Sequence, residues 1–169
     1  MYRRVFDFQD TLRTRSMFLF GPRGTGKTTL VRTALPEARV YDLLDNETYS
    51  RLLRRPKLIA EETGENETVV VDEIQKLPRL LDEIHRLIAD RDQRFVLTGS
   101  SARKLKHGAA NLLAGRARKR ELFPLVAAEI PGFSLETWMR SGGLPFLYGE
   151  SEAPIDLASY VDLYLREEI

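Results

Sequence analysis

Between a short apolar run and a helical stripe lies Gly21-Pro22-Arg23-Gly24-Thr25-Gly26-Lys27-Thr28, a glycine-rich stretch that ends on a lysine and a hydroxyl. The spacing G-x-x-x-x-G-K-[ST] has a physical reason at each place. Glycines let the backbone curl so that successive N–H groups turn inward and cradle an anion. A helix starting at the lysine aims the positive end of its dipole at the same anion. Lys27 brings a mobile point charge to the β- and γ-phosphates of a nucleotide, and the Thr28 hydroxyl is a ligand for Mg²⁺. The cradle therefore runs through Gly21, Pro22, Arg23, Gly24, Thr25, Gly26, Lys27, Thr28 and Thr29, with Lys27 also acting in catalysis. The competing reading is a glycine-rich turn that binds nothing; the apolar run before it and the helical pattern after it argue against that.

A second group is Asp72-Glu73, two carboxylates delivered by the apolar run Val69-Val70-Val71. At the end of a buried strand, Asp72 suits a Mg²⁺ ligand, direct or through water, and Glu73 suits a base that polarises an attacking water. Alone, Asp72 would serve equally well as a helix cap. A third group is Thr98-Gly99-Ser100-Ser101, after Phe95-Val96-Leu97. Its hydroxyls can touch a γ-phosphate or orient water, Ser100 ahead of Thr98, although Thr98 and Ser101 also suit a turn or a cap. The fourth is Arg116, whose guanidinium can offset charge developing on a phosphoryl group. Arg116 lies within a region, 101–120, that holds Arg103, Lys104, Lys106, Arg116, Arg118, Lys119 and Arg120 and no acid. The same stretch is compatible with a nucleic-acid backbone as partner, but it lacks interleaved aromatics.

These groups need a scaffold. Met17–Phe20, Val69–Val71 and Phe95–Leu97 are apolar without alternation, as strands buried on both faces of a parallel sheet are; Ala38–Leu43 is a weaker fourth strand. Leu30, Val31, Ala34 and Leu35 make one helical stripe, and Leu80, Leu81, Ile84, Leu87 and Ile88, introduced by Pro78, make a clearer one. Strands alternating with helices predict an α/β fold. A further strand is expected through Leu122 and Phe123. From Leu125 the pattern predicts short helices broken at Gly142-Gly143 and Pro145, so the chain divides into a core at 1–124 and a small helical region at 125–169. The last stripe, Leu157, Tyr160, Val161, Tyr164 and Leu165, repeats at helical spacing, and its Leu157, Val161, Tyr164 and Leu165 face is expected to pack. It runs to Ile169 without a cap, a pattern that predicts continuation into a longer chain.

The bulk numbers bound the partners. A chain of 169 residues, 43% hydrophobic and 30% charged, is an ordinary single-domain mixture. No apolar run approaches the roughly 18 residues of a membrane-spanning helix, so no membrane partner is expected. The opening Met1-Tyr2-Arg3-Arg4 does not lead into the apolar stretch of a signal peptide. Without cysteine there are no disulfides or thiolate metal sites, in keeping with a cytoplasmic setting. The isolated His85 and His107 point to no zinc site. A net charge of +1 makes no general demand for a polyanion. The absence of an N-K-x-D guanine clamp tilts the base toward adenine.

Taken in order, the segments GPRGTGKTTL at 21–30, VVVDEIQKLPRLLDEIHRLI at 69–88, FVLTGSSARKLKHGAANLLAGRA at 95–117, FPL at 123–125, GGLP at 142–145 and YVDLYLREEI at 160–169 resemble a family of archaeal and bacterial AAA-type P-loop ATPases. The resemblance covers nearly the whole chain. It implies a five-stranded parallel core with the P-loop strand central, then a small helical region; members usually continue into a C-terminal domain of unknown function. By matching motifs, Lys27, Thr28, Asp72 and Glu73 take the ATPase roles, Ser100 the sensor position, and Arg116 that of a phosphate-facing arginine, which in AAA-type proteins often serves the next protomer of an assembly. The expected ligands are ATP and Mg²⁺, and the expected activity is ATP hydrolysis. Two other readings stand beside it: a slow ATP-operated assembly switch, with nucleic acid as a conceivable effector, and a small-molecule kinase. Glu73 beside Asp72 speaks against the kinase, because activating water is wasteful when a substrate hydroxyl must win.

Overall fold

A computed structural model describes residues 2–7, 9–100, 105 and 113–168, with backbone alone at residue 9 and at 165–168. Arg103, Lys104, Lys106 and His107 of the basic stretch, Ser101, and the Leu165 side chain therefore lie outside the described residues. The chain gathers into two compact units. One comprises Asp7–Gly21 and Lys27–Glu121; the other comprises Met1–Phe6, Pro22–Gly26 and Leu122–Ile169.

In the first unit, the strands β1 (Ser16–Phe20), β2 (Arg39–Asp42), β3 (Val69–Asp72), β4 (Phe95–Gly99) and β5 (Ala117–Glu121) form one parallel sheet in the order β2-β3-β4-β1-β5. The apolar runs became its interior. β1, β3 and β4 are buried along their whole length, and the alternation of the pleat splits their side chains between two faces. Phe18, Phe20, Val69, Val71, Phe95 and Leu97 join one apolar cluster; Met17, Leu19, Val70 and Val96 are equally buried but stand outside it. That cluster is closed by α3 (Asn46–Arg54) through Leu52, α4 (Leu58–Glu62) through Ile59, and α5 (Leu80–Arg91) through Leu80, Leu81, Ile84 and Leu87. Two further helices are α1 (Gln9–Leu12) and α2 (Lys27–Ala34), the latter directly after the glycine-rich loop.

The strand expected through Leu122 and Phe123 lies instead at Ala117–Glu121. Its sequence is Ala-Arg-Lys-Arg-Glu, half-buried at best, because it borders only β1 and forms an edge of the sheet. Edge strands carry charge where interior ones carry valine, so a search for apolar runs passes over them. β1 is interior, between β4 and β5, but the middle place belongs to β4.

In the second unit, a 3₁₀ turn at Ala127–Glu129 precedes α6 (Leu135–Ser141) and α7 (Ala153–Glu168). Ser134 caps α6 by accepting a hydrogen bond from Thr137 N at 3.2 Å. Leu144, Leu147 and Ala153 make its small apolar cluster, against which Leu157 and Tyr160 pack. The packed face of α7 thus runs through Ala153, Leu157 and Tyr160, spaced four and three apart, while Val161 is 43% exposed. The expected stripe was right at Leu157 and rotated away from Val161.

Candidate functional site

Parallel strands share a direction, so the carboxyl ends of β1, β3 and β4 lie along one border of the sheet. Phe20 pairs with Gly99, which places Gly21 and Ser100 at that border, and Asp72 ends β3 beside β4. Ligands of open α/β sheets bind there.

The loop between β1 and α2 turns through two glycines in the left-handed region, Gly24 at φ 76° and Gly26 at φ 87°. A side chain at either position would be strained. Thr25, between them, is fully buried, and its hydroxyl donates to Pro22 O at 2.8 Å. Two further outward carbonyls of this arch are held by its own unit: Arg4 Nη1 donates to Thr25 O at 2.8 Å, and the Tyr160 hydroxyl to Arg23 O at 2.9 Å. Phe146 lies against Gly24, where a Cβ would come within 2.4 Å of the ring. Lys27, 6% exposed at the start of α2, donates from Nζ to Gly21 O at 2.7 Å. Its charge is therefore held beside the Gly21 carbonyl rather than in open solvent.

One residue into α2, Thr28 Oγ1 donates to Asp72 Oδ2 at 2.7 Å. Asp72 is 4% exposed, and its Oδ1 accepts from the Thr98 hydroxyl. The same Thr98 hydroxyl accepts from Glu73 N at 3.2 Å. A buried carboxylate is thus partnered on both oxygens by threonine hydroxyls from neighbouring elements. Mg²⁺ takes oxygen ligands at about 2.0–2.1 Å in near-octahedral geometry, which sets adjacent ligand oxygens about 3 Å apart. The Thr28–Asp72 spacing fits that requirement. Among the described residues there is no group of three or more acidic or His side chains, so the remaining positions would fall to phosphate oxygens and water.

Glu73 follows in the left-handed region, at φ 60° and ψ 45°. For a residue other than glycine this costs on the order of 1–3 kcal/mol, a strain that tends to gather at functional sites. The backbone bond to Thr98 and the 3₁₀ turn Ile74–Lys76 hold it there. Its Oε2 accepts from Gln75 Nε2, while Gln75 Oε1 is buried without a partner against Gly99, where a Cβ would approach it to 2.5 Å. Ser100, 6% exposed, follows Gly99 directly.

Arg116 stands elsewhere. It immediately precedes β5, and its carbonyl accepts from Ser16 N at 3.2 Å. Ser16 pairs with Ala117 and Phe20, which the glycine loop follows, with Glu121, so five strand steps, about 16 Å, separate the Arg116 backbone from the loop border. The Arg116 side chain is exposed.

The structure thus brings Gly21, Lys27, Thr28, Asp72, Glu73 and Ser100 to one border of the sheet and leaves Arg116 at the opposite one. Arg4, Gln75, Thr98 as a partner of Asp72, and Tyr160 as a partner of the loop were not singled out by their sequence. Thr98 carried a signal, a hydroxyl at the end of a buried run, and Tyr160 carried one as a member of the last helical stripe.

A parallel α/β sheet with a phosphate-cradling loop after its first strand, a lysine and threonine opening the next helix, and a carboxylate on a neighbouring strand defines a P-loop nucleotide-binding domain. A family model described as an AAA domain matches residues 13–131, and the chain belongs to that family of ATPase-type domains. No curated protein sequence matches it. Among solved structures it is similar to that of the Aeropyrum pernix Orc1 protein in complex with DNA, at 17% identity and a TM-score of 0.49, over 92% of this chain and 56% of that one. The chain therefore spans little more than half the length of that protein. Among the described residues, no helix is long and apolar enough to cross a membrane.

Proposed function

We propose that this domain binds Mg·ATP and hydrolyses it, with water as the acceptor. The observation that carries the reading is the Asp72 carboxylate, buried and bonded to the hydroxyl of Thr28, which directly follows Lys27. Lys27 binds the β- and γ-phosphates, and the loop from Gly21 to Thr29 supplies N–H groups to their oxygens. Thr28 and Asp72 would hold Mg²⁺, which when bound neutralises charge on those phosphates. Glu73 accepts a hydrogen bond from the attacking water and takes its proton as the water oxygen bonds to the γ-phosphorus and the bond from that phosphorus to the β,γ-bridging oxygen breaks, ADP leaving with the electron pair. Ser100 donates to a γ-phosphate oxygen. Arg116, on this reading, serves the nucleotide of a neighbouring copy, since about 16 Å of strand lies between its backbone and the border bearing its own loop. ATP as substrate goes with a cytoplasmic setting, and a homo-oligomer with Arg116 acting across an interface.

The test is phosphate release from ATP without any added acceptor, wild type against Glu73→Gln. Losing a general base costs about 10²–10⁴ in rate. The variant should bind Mg·ATP normally and turn over slower by that factor; turnover within threefold of wild type would remove Glu73 from the role. A second reading, a slow ATP-operated switch, is favoured by one observation: the Glu73 carboxylate is already engaged by the Gln75 amide. Under it, ATP is retained through many minutes per turnover, and added DNA or a change of assembly state sets the rate.

A further inference from the structure

Arg4 lies far in sequence from every residue discussed as binding phosphate, yet its side chain is only 8% exposed, both terminal guanidinium nitrogens donate hydrogen bonds, and the buried Nε has an ion-pair partner but no hydrogen bond. Nη1 donates to Thr25 O at 2.8 Å, Nη2 donates to Phe123 O at 2.6 Å, and Nε lies 3.0 Å from Glu129 Oε1. Glu129, with a side chain 5% exposed, is itself held: Oε1 accepts from Val5 N at 2.8 Å and Oε2 from Val126 N at 3.2 Å. All of these residues belong to one compact unit.

The bond to Thr25 has a consequence for phosphate binding. The peptide between Thr25 and Gly26 is planar and trans, so its C=O and its N–H point in opposite directions. A guanidinium that draws the Thr25 carbonyl outward turns the Gly26 N–H to the inner side of the loop, where an anion is cradled. Without that hold the peptide turns more readily, because one of the two torsions beside it is φ of Gly26, the residue type with least resistance to a change of φ. A fork-shaped donor suits the task; a lysine could reach one of these acceptors but not all three.

We propose that Arg4 is a positioning residue of the nucleotide site, which pre-orients the Thr25–Gly26 peptide for phosphate, with Glu129 fixing its fork. This rests on the nucleotide reading above. Preorganisation acts on affinity, and the groups of the chemical step are untouched. Removing Arg4 should therefore raise Kd and KM while kcat at saturating ATP holds. The loss should also be the same for inorganic tripolyphosphate as for ATP, since no part of the base is involved.

The experiment uses calorimetry with Mg·ATP and with Mg·tripolyphosphate, together with steady-state turnover. Arg4→Met/Glu129→Gln removes the brace without leaving a buried lone carboxylate. Tyr148→Phe loosens the same unit elsewhere by taking the partner from Ser134 N, 3.2 Å away. The double variant is expected to lose at least tenfold in affinity for both probes with kcat within threefold, and Tyr148→Phe to stay within threefold in both. A folded double variant with affinity within threefold of wild type overturns the proposal, as does equal loss in Tyr148→Phe. Should the double variant fail to fold, Arg4→Lys, which keeps a charge opposite Glu129, is read by the same thresholds. Wild type that binds neither probe overturns the nucleotide reading and this one together; wild type that binds while the variants are unaffected overturns this one alone.

Discussion

The Thr98 hydroxyl on β4 donates a hydrogen bond to Asp72 Oδ1 at the end of β3, a contact between strands 26 residues apart in sequence. The Thr98 hydroxyl oxygen in turn accepts from Glu73 N. One hydroxyl therefore sets the rotamer of the proposed metal ligand and holds the backbone of the proposed base in its left-handed conformation. Thr98→Val keeps the shape and loses both bonds. We expect a stability loss of about 1–3 kcal/mol, the cost of leaving buried polar groups without a partner. Mg²⁺-dependent turnover should fall at least tenfold, with little change in ATP affinity measured in EDTA. Chemical denaturation and turnover on the same preparation check both.

Lys27→Ala removes the cation held 2.7 Å from Gly21 O and leaves the glycines of the loop in place. ATP affinity should fall by at least two orders of magnitude with no loss of fold. Unchanged affinity by calorimetry would refute the assignment of the loop.

Arg116 should act in trans. An arginine finger is worth about 10³–10⁵ in kcat, so specific activity should rise with protein concentration, and Arg116→Ala should abolish the rise with ATP affinity intact. Mixing Glu73→Gln with Arg116→Ala pairs an intact arginine with an intact base across one interface. Recovered turnover is the expected result; two inactive proteins at every ratio, with mixed assembly demonstrated, would count against it.

Glu129 predicts a pH effect. Burial opposes its charge, but the N–H groups of Val5 and Val126 and the Arg4 guanidinium outweigh burial and hold its carboxyl below the usual range. A depressed folded-state pKa means the unfolded chain binds the proton more readily. The stabilisation is thus complete above the ordinary glutamate value of about 4.3 and is lost as pH falls through the lower folded value. Thermal melts between about pH 5 and pH 3 should show wild type losing more Tm than Glu129→Gln. Parallel acid limbs would show that the ion pair adds nothing.

The sequence alone singled out the glycine loop, Lys27, Thr28, Asp72 and Glu73 as candidates for chemistry, and marked β1, β3 and β4 as buried strands. Those features are local: a spacing of eight residues builds the loop, and an apolar run reports burial without reference to what covers it. Tertiary structure decided the rest. β5 was misplaced because an edge strand, wetted on one side, carries charges that no hydrophobic pattern distinguishes from a loop. The packed face of α7 turned toward Tyr160 rather than Val161 because a stripe of mixed aromatic and aliphatic residues fits more than one rotation. Arg116, a plausible finger by its place in the order of motifs, lies at the far end of β1 from the loop because β1 and β5 run parallel in a register that pairs Ser16 with Ala117. Arg4 with Thr25, and Thr98 with Asp72, are pairs 21 and 26 residues apart. Such partnerships follow from strand order and register, and these exist only once the chain has closed on itself.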